Sequence, residues 1–289
     1  MSGTQRTAFV LAGGGSLGAI QVGMLQAMLA RGPAPDMVVG ASVGAINGFY
    51  LAADPTIEGV RRLAQIWCEL TSTTVFPRSA IRTLLALFGR RRSLLDPAHL
   101  RTLLETHVPV RRIEDPVLPC TIIATNGLSG GEVLLATGDS VDALLASTAI
   151  PALFPPVHIG GHYLLDGGVS NNAPVSTAIA LGATRVVVLP TGFSCALQRP
   201  PAGVIAMVLH AFNLMVARQL TRDIERFAST ADIVVVPPLC PVPISSYDFS
   251  RTSELIARAR ASTDNWLDAG GLTRHAEIPA TLQPHSHST

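Results

Sequence analysis

Ser42 is the residue whose setting in this sequence most directly suggests chemistry. It lies within Gly40-Ala41-Ser42-Val43-Gly44, after an apolar run that predicts a strand and before an apolar pattern that predicts a helix. A serine on such a sharp turn stands clear of the backbone at the positive end of the helix dipole. Gly40 and Gly44 fit the turn, because a Cβ at either position would press on a neighbouring strand or helix. Alone, the motif is as typical of an ordinary small-residue turn as of a nucleophile.

Asp166 is the candidate base for this serine, since a serine hydroxyl needs a partner that takes its proton. Where the same motif belongs to an α/β-hydrolase, a late histidine is expected. His275 is the one placed late enough, and it lies in an ordinary polar loop. Asp166 ends a predicted hairpin strand, and Gly167 and Gly168 after it would let the carboxylate approach closely. Most Asp-Gly pairs are only turns, and burial would have to raise the pKa of Asp166 for it to act near neutrality.

A glycine-rich loop, residues 13–18, joins the first predicted strand to the first predicted helix. Gly13, Gly15 and Gly18 match the Gly-x-Gly-x-x-Gly pattern of dinucleotide-binding loops, which would indicate a nucleotide-binding oxidoreductase. That function requires an acid at the end of the second strand to hold the ribose. Asp36 has a suitable spacing but comes before the second predicted strand. The acid that would hold the ribose is therefore missing, which argues against dinucleotide binding.

The same loop can instead be interpreted as an oxyanion hole. A glycine-rich loop at the start of a helix directs several N–H groups into one space. Acyl hydrolysis needs such donors to hold the negative oxygen of the tetrahedral intermediate. Gly14 and Gly15 would supply two of them, and Val43, the residue after the candidate nucleophile, would add another.

A fold has to bring these motifs to one place, and the pattern of elements predicts how. Buried strands are predicted at 7–12, 120–126, 185–190 and 232–237, alternating with helical patterns. This predicts one three-layer α/β/α domain over residues 1–275, with a mostly parallel central sheet. The carboxyl ends of its strands would share one edge, where ligands bind. Asn172 and Pro174 are expected to begin the helix that ends near residue 181. Residues 276–289 are polar and predicted to be a disordered tail.

The composition suits strands that are buried on both faces, because 48% of the 289 residues are hydrophobic and only 14% are charged. The net charge of +1 gives no support for a nucleic-acid partner. No apolar run reaches the roughly 18 residues that a transmembrane helix needs. The first residues show no signal-peptide pattern, so we expect a cytoplasmic protein.

The cysteines are widely spaced and include no Cys-x-x-Cys pair, so neither a zinc site nor a disulfide framework is indicated. They are Cys68, Cys120, Cys195 and Cys240. We expect them to be reduced and buried.

Residues 78–92 have a different character, with apolar positions flanked by five arginines. A basic amphipathic segment of this kind can lie on an anionic membrane surface. An ordinary surface helix with solvated arginines explains the pattern equally well. If the protein acts on lipids, this segment is the candidate lid or peripheral membrane contact.

Four motifs taken together resemble the patatin-like phospholipases. They are the glycine loop 13–18, the turn 40–44, the Ser-Thr-Ala-Ile-Pro segment 147–151 and the Asp-Gly-Gly segment 166–168. Their order and spacing fit that family, and the resemblance extends over about residues 6–182. As a set of four they are far more specific than any one of them.

The resemblance implies an acyl hydrolase with a Ser–Asp dyad, in which Ser42 is the nucleophile and Asp166 the base. It implies lipid acyl esters as substrates, from phospholipids to small synthetic esters, and neither a metal nor an organic cofactor. It implies that the loop 13–18 is the oxyanion hole. With Val43 from the turn geometry, the candidate oxyanion-hole residues are Gly13, Gly14, Gly15 and Val43. The glycines that support the motifs are Gly18, Gly40, Gly44, Gly167 and Gly168.

Leu17 departs from the family pattern, because the family often carries Arg or Lys there. That position is associated with holding the oxyanion loop or a lipid headgroup. Leucine leaves the backbone N–H donors in place, so hydrolysis remains the expectation while headgroup preference stays open. A lipid-binding protein with a decayed site is the other alternative, and the intact Ser42 and Asp166 argue against it.

Overall fold

The computed structural model describes residues 5–75, 93–197, 199–201, 204–283 and 285. The arginine-flanked segment 78–92 lies outside the described residues. Within them, eight strands form one sheet in the order β5-β6-β3-β2-β1-β7-β8, with β4 paired to β3. The strands are β1 (Thr7–Leu11), β2 (Met37–Ala41), β3 (Cys120–Asn126), β4 (Glu132–Leu135), β5 (Val157–Ile159), β6 (His162–Asp166), β7 (Arg185–Leu189) and β8 (Asp232–Val235).

The centre of the sheet is parallel and one side of it is antiparallel. Strands β3, β2, β1, β7 and β8 pair in parallel. Strands β4 and β6 pair antiparallel with β3, and β5 pairs antiparallel with β6. The carboxyl ends of the five parallel strands therefore lie at one edge of the sheet.

Helices cover both faces of this sheet. The described helices are α1 (Gly18–Arg31), α2 (Val43–Ala53), α3 (Ile57–Glu69), α4 (Ser72–Val75), α5 (Pro97–His107), α6 (Ser140–Ser147), α7 (Gly168–Asn171), α8 (Val175–Ala180), α9 (Val204–Phe227) and α10 (Thr252–Asp268). No helix in the described ranges is long and apolar enough to cross a bilayer. Helix α5 begins as predicted, since the Asp96 carboxylate accepts a hydrogen bond from the Ala98 N–H next to Pro97.

The alternation of side chains along β1 shows the three layers directly. Phe9 and Leu11 pack into a core formed with α1, α2, α3, α5, α6 and α10. Ala8 and Val10 point to the opposite face, where they pack with α8, α9 and the C-terminal Leu282. Because all four side chains are fully buried, the strand has to be apolar throughout. The predicted α/β/α fold with a mostly parallel sheet is confirmed.

The register of β3 brings the two candidate catalytic elements together. Strand β2 pairs with the first part of β3, and Ala41 lies opposite Ile123. Strand β6 pairs with the last part of β3, and Asp166 lies opposite the next residue, Ala124. The end of β6 therefore meets the end of β2, although 124 residues separate Ser42 from Asp166.

The start of helix α8 differs from the expectation for Asn172. The helix begins at Val175 with Pro174 as its N-cap. Asn172 lies before the helix, where its backbone oxygen accepts a hydrogen bond from the Gly13 N–H at 3.1 Å. Its side chain faces the glycine loop as well, at 3.4 Å from the Gly13 carbonyl oxygen. Asn172 therefore supports the loop and does not cap the helix.

The C-terminal segment also differs from the expected disordered tail, in the part that the structure describes. The Ala276 N–H donates to the Ile233 carbonyl at 2.7 Å. A short 3₁₀ helix, Ala280–Leu282, follows, and Leu282 is buried against the α8–α9 side of the sheet. The apolar residues Ala276, Ile278 and Leu282 anchor a segment whose overall polarity predicts disorder.

Candidate active site

Ser42 has a strained backbone at the junction between β2 and α2. Its φ and ψ are 54° and −128°, a region that non-glycine residues rarely adopt. The two flanking glycines make this turn fit. A Cβ on Gly40 would lie within 3 Å of the Gly44 backbone, and a Cβ on Gly44 would lie equally close to the Leu11 carbonyl. Both positions require glycine for close approach, as the sequence predicts.

The Ser42 hydroxyl donates a hydrogen bond to Asp166 Oδ2 at 2.7 Å. Asp166 is only 2% exposed, and its Oδ1 accepts the Gly168 N–H at 2.7 Å. Burial raises the pKa of Asp166 to about 6, against the opposing effect of the hydrogen bonds from Ser42 and Gly168. A carboxylate with this pKa is ionised at neutral pH and is a far better proton acceptor than an ordinary aspartate.

Two histidines of the described chain bear on the identity of the base. His275 lies at the amino end of β8, where its ring contacts Asp232 and the Ala228 carbonyl. That end is the opposite edge of the sheet from Ser42, which excludes His275 as its partner. His107 lines the same cavity as Ser42, yet the Ser42 proton is directed at Asp166.

Ser147 fixes the position of the strained serine and was not singled out by the sequence motifs on chemical grounds. Its hydroxyl donates to the Ile123 carbonyl at 2.6 Å, and its oxygen accepts the Ser42 N–H at 2.9 Å. Ser147 is fully buried, so these two hydrogen bonds join the end of α6 to both β3 and the turn. This contact gives the segment 147–151 a physical role.

Three backbone N–H groups are available beside Ser42. Among the described residues, none accepts a hydrogen bond from the N–H groups of Gly14, Gly15 or Val43. Gly15 and Val43 line the same cavity as Ser42. Gly13 is different, because its N–H donates to the Asn172 carbonyl. The expectation that Gly13 is an oxyanion donor is therefore corrected.

Neighbouring chain segments hold the glycine loop from outside. The Thr191 hydroxyl donates to the Gly13 carbonyl at 2.8 Å, and the Ser16 N–H donates to the Ser246 carbonyl at 2.7 Å. A Cβ on Gly14 would collide with Thr191, and a Cβ on Gly15 would collide with the Ser246 carbonyl. The glycines thus let the loops after β7 and β8 pack directly on the loop backbone.

A buried polar network supports the loop from inside. The Gln21 amide donates to the Ala12 carbonyl, directly after β1, at 2.7 Å and to the Leu189 carbonyl, at the end of β7, at 2.9 Å. Asn47 donates to Gln21 Oε1 at 2.9 Å and accepts from the Trp67 indole at 2.8 Å. Since Gln21 and Asn47 are fully buried, their hydrogen bonds fix the ends of both strands.

An apolar cavity of about 110 Å³ opens at Ser42. One water needs about 10–15 Å³ of such space, so the cavity has room for several water-sized groups of a ligand. Its walls are mostly hydrocarbon. Trp67 and Phe249 stack in this lining with ring centroids 6.0 Å apart. Further apolar lining residues are Ile46, Leu63, Ile66, Leu70, Val75, Leu100, Leu103, Leu104, Ile150 and Phe154.

The dinucleotide interpretation of the glycine loop does not fit this geometry. The Asp36 carboxylate accepts the Thr7 N–H at 2.7 Å, which holds it at the amino ends of β1 and β2. The glycine loop lies at their carboxyl ends. Asp36 is therefore at the wrong edge of the sheet to hold a ribose beside the loop.

A family model described as "Patatin-like phospholipase" matches residues 9–179. The match covers more than half of the 289 residues and contains the glycine loop, the Ser42 turn and Asp166. The chain belongs to the patatin-like phospholipase family. The four motifs of the sequence thus identify the family correctly.

Relatives within the patatin-like phospholipases are much longer proteins. Patatin-like phospholipase domain-containing protein 7 of Rattus norvegicus is 30% identical over 187 residues, which cover 64% of this chain and 13% of that protein. Lysophospholipase NTE1 of Mycosarcoma maydis is 27% identical over 191 residues, which cover 63% of this chain and 9% of that protein. The structure of VipD from Legionella pneumophila aligns with a TM-score of 0.49 at 15% identity, covering 92% of this chain and 67% of that chain.

Proposed function

We propose that this patatin-like phospholipase hydrolyses lipid acyl esters, with Ser42 as the nucleophile and Asp166 as the base. The observation that carries the proposal is the 2.7 Å hydrogen bond from Ser42 Oγ to a buried carboxylate, at the mouth of an apolar cavity. The names of relatives, among them a lysophospholipase and the neuropathy target esterase sws of Drosophila melanogaster, support an ester substrate.

The first half of the reaction forms an acyl-enzyme. Asp166 takes the Ser42 proton while Oγ attacks the carbonyl carbon of the ester. The N–H groups of Gly14, Gly15 and Val43 would hold the negative oxygen of the tetrahedral intermediate. When the intermediate collapses, the ester C–O bond breaks, and Asp166 returns the proton to the departing alcohol.

The second half of the reaction releases the acid. Asp166 takes a proton from a water that attacks the acyl carbon, and the new intermediate collapses as Ser42 Oγ regains a proton. The acyl chain would lie in the apolar cavity, where burial of each CH₂ contributes about 0.8 kcal/mol. The proposed substrates are therefore esters of long or medium acyl chains.

A substrate panel with three variants tests the proposal. Phospholipid, lysophospholipid, acylglycerol and a short nitrophenyl ester are compared for the wild type, Ser42→Ala, Asp166→Asn and His107→Gln. We expect the first two variants to lose at least about 10³-fold in kcat, while His107→Gln keeps its activity because His107 only lines the cavity. Wild-type rates in Ser42→Ala would refute the proposed nucleophile. Loss of activity in His107→Gln with retention in Asp166→Asn would reassign the base.

Membrane contact through residues 78–92 stays a prediction. Flotation of the protein with liposomes, with and without anionic lipid, measures it. Equal flotation with anionic and with neutral liposomes would refute the prediction that the five arginines bind the segment to an anionic membrane surface.

A further inference from the structure

Two loops bring Cys195 and Cys240 together, although 45 residues separate them. Cys195 follows β7 and Cys240 follows β8, and their Sγ atoms lie 3.4 Å apart. The C-terminal segment adds His285, whose Nε2 lies 3.0 Å from Cys240 Sγ. The three candidate ligand atoms lie within 4.8 Å of one another, and none of these residues lines the cavity at Ser42. The spacing of the cysteines in the sequence does not indicate this cluster.

The orientation of the His285 ring is that of a metal ligand. Its Nδ1 lies 2.7 Å from the Gln283 backbone oxygen. Since a carbonyl oxygen only accepts, Nδ1 carries the proton, and Nε2 of the neutral ring offers a lone pair on the side of Cys240. Histidines that bind metals are held in the same way, with the other ring N–H donated to a carbonyl or carboxylate.

The environment of Cys195 fits a thiolate ligand as well. Its Sγ accepts a hydrogen bond from the Val242 N–H at 3.4 Å. Backbone N–H groups directed at sulfur stabilise the negative charge of metal-bound thiolates. The His285 ring also packs at 5.7 Å from the Phe193 ring, so an aromatic neighbour in the Cys195 loop fixes the third ligand.

We propose that Cys195, Cys240 and His285 form a thiolate–imidazole site for a zinc-type divalent ion, with solvent water as the fourth ligand. Two sulfurs and one imidazole nitrogen are a ligand set typical of zinc. In a zinc tetrahedron the two sulfurs lie about 3.8 Å apart and sulfur and nitrogen about 3.5 Å apart. The observed sulfur–sulfur separation of 3.4 Å and sulfur–nitrogen separation of 3.0 Å are each about half an ångström shorter than these values. The Cys195 and His285 ligand atoms lie within 4.8 Å of each other, so binding requires small movements of the three side chains.

The balance of protons distinguishes this site from a redox pair. Zinc binds cysteine sulfur as the thiolate, so an ion that binds here displaces the thiol protons. Binding of one ion forms two metal–sulfur bonds and one metal–nitrogen bond, and releases two thiol protons to solvent. The Nδ1 proton of His285 remains in its hydrogen bond to Gln283. Neither an oxidant nor a reductant takes part.

The ion would join segments that also brace the glycine loop. Thr191, which bonds the Gly13 carbonyl, lies four residues before Cys195. Ser246, which accepts the Ser16 N–H, lies six residues after Cys240. An ion on the three ligands would therefore tie the loops after β7 and β8 and the C-terminal segment together, which raises thermal stability by binding the folded chain alone.

Metal titration of the reduced 289-residue chain tests the proposal without any measurement of hydrolysis. Protein treated with a chelator and a thiol-free reductant is titrated with ZnCl₂ by calorimetry, and with CoCl₂ for its thiolate charge-transfer band. We expect one ion per chain, two protons released per Zn²⁺, and a rise in Tm. Cys195→Ser, Cys240→Ser and His285→Gln should each weaken Zn²⁺ binding more than about 100-fold.

Cys68→Ser is the matched control, because Cys68 is an exposed thiol away from the cluster; it should bind Zn²⁺ as the wild type does. His285→Gln keeps both thiols and so separates ligand loss from a folding defect caused by a cysteine replacement. Wild-type affinity in the three ligand variants would overturn the proposal, since the ion would then be adventitious. Isolation of the protein with a Cys195–Cys240 disulfide that resists reduction by thiols would also overturn the proposal, because the two cysteines would then form a structural disulfide.

Discussion

Replacement of Asp166 by asparagine should abolish hydrolysis and, above pH 6, make the protein more stable. The amide cannot take the Ser42 proton, so the chemistry stops. It can keep both hydrogen bonds, with its oxygen accepting the Gly168 N–H and its NH₂ donating to Ser42 Oγ in place of the present bonds. What it removes is a buried negative charge, and burial of that charge is the main cause of the raised pKa of Asp166.

The size of this gain in stability follows from the pKa of Asp166, which rises from 3.8 to about 6 on folding. The folded state therefore holds this proton more tightly than the unfolded state. Stability from this group is fully present below about pH 4 and is lost as the pH rises through 6. This rise in the pKa of Asp166 corresponds to a loss of about 3 kcal/mol at most in the free energy of unfolding. For a chain of 289 residues, that free energy corresponds to about 5 °C in Tm.

The assay is thermal unfolding of wild type and Asp166→Asn between pH 4.5 and 8, followed by circular dichroism. We expect the Tm difference to be small at pH 4.5 and to grow to about 5 °C in favour of the variant at pH 8. Asp115→Asn, at an exposed carboxylate, is the matched control and should show no such trend. A Tm difference that is constant with pH, or that favours the wild type at pH 8, would refute the inference that Asp166 carries a buried charge.

Three further predictions concern the pH dependence of activity, the stability of the Ser42 turn and the chain-length preference. The kcat/KM of the wild type should fall about tenfold per pH unit below pH 6, because Asp166 must be ionised in the free enzyme; a flat profile down to pH 4.5 contradicts this base. Ser147→Ala should cost about 1–3 kcal/mol of stability by leaving the Ile123 carbonyl and the Ser42 N–H unpaired, measured by urea unfolding, and should lower kcat more than it raises KM. Leu104→Trp should fill part of the cavity and shift the preference towards shorter acyl chains, whereas Leu128→Trp, at an 86% exposed position, should leave chain-length preference unchanged.

The sequence predicts the fold well where a local pattern sets the structure. The apolar strand at residues 7–11 and the Asp96-Pro97 helix start follow directly from residue type. The turn at Ser42 is equally local, since both flanking glycines are needed for close approach. The meeting of the β6 and β2 ends is not local, because both strands pair with β3 and depend on its register, and no short pattern reveals that register.

The sequence is less informative about which backbone groups are already used. Gly13 belongs to the same motif as Gly14 and Gly15, yet its N–H is taken by the Asn172 carbonyl, 159 residues away in the chain. Ser147 is similarly invisible as a positioning residue, because its two hydrogen bonds join separate elements. A long-range hydrogen bond leaves no periodicity in the sequence, so only the structure can assign such residues.

The burial of a few apolar residues likewise makes the C-terminal segment ordered where its composition predicts disorder. Composition predicts disorder from residue 276, whereas three apolar residues dock residues 276–282 on the sheet. The same docking carries the chain to His285 beside Cys195 and Cys240. Widely spaced cysteines become a cluster because β7 and β8 are neighbours and their loops leave the sheet at the same edge.

Covalent labelling with a fluorophosphonate probe tests the central claim most directly. Protein labelled at pH 8 is digested, and the modified peptide is mapped by mass spectrometry for the wild type and Asp166→Asn. The account predicts one adduct per chain on Ser42 in the wild type, and labelling that is at least about 10³-fold slower in the variant. An adduct on a different residue, or equal labelling rates in the two proteins, would contradict a Ser42 nucleophile activated by Asp166.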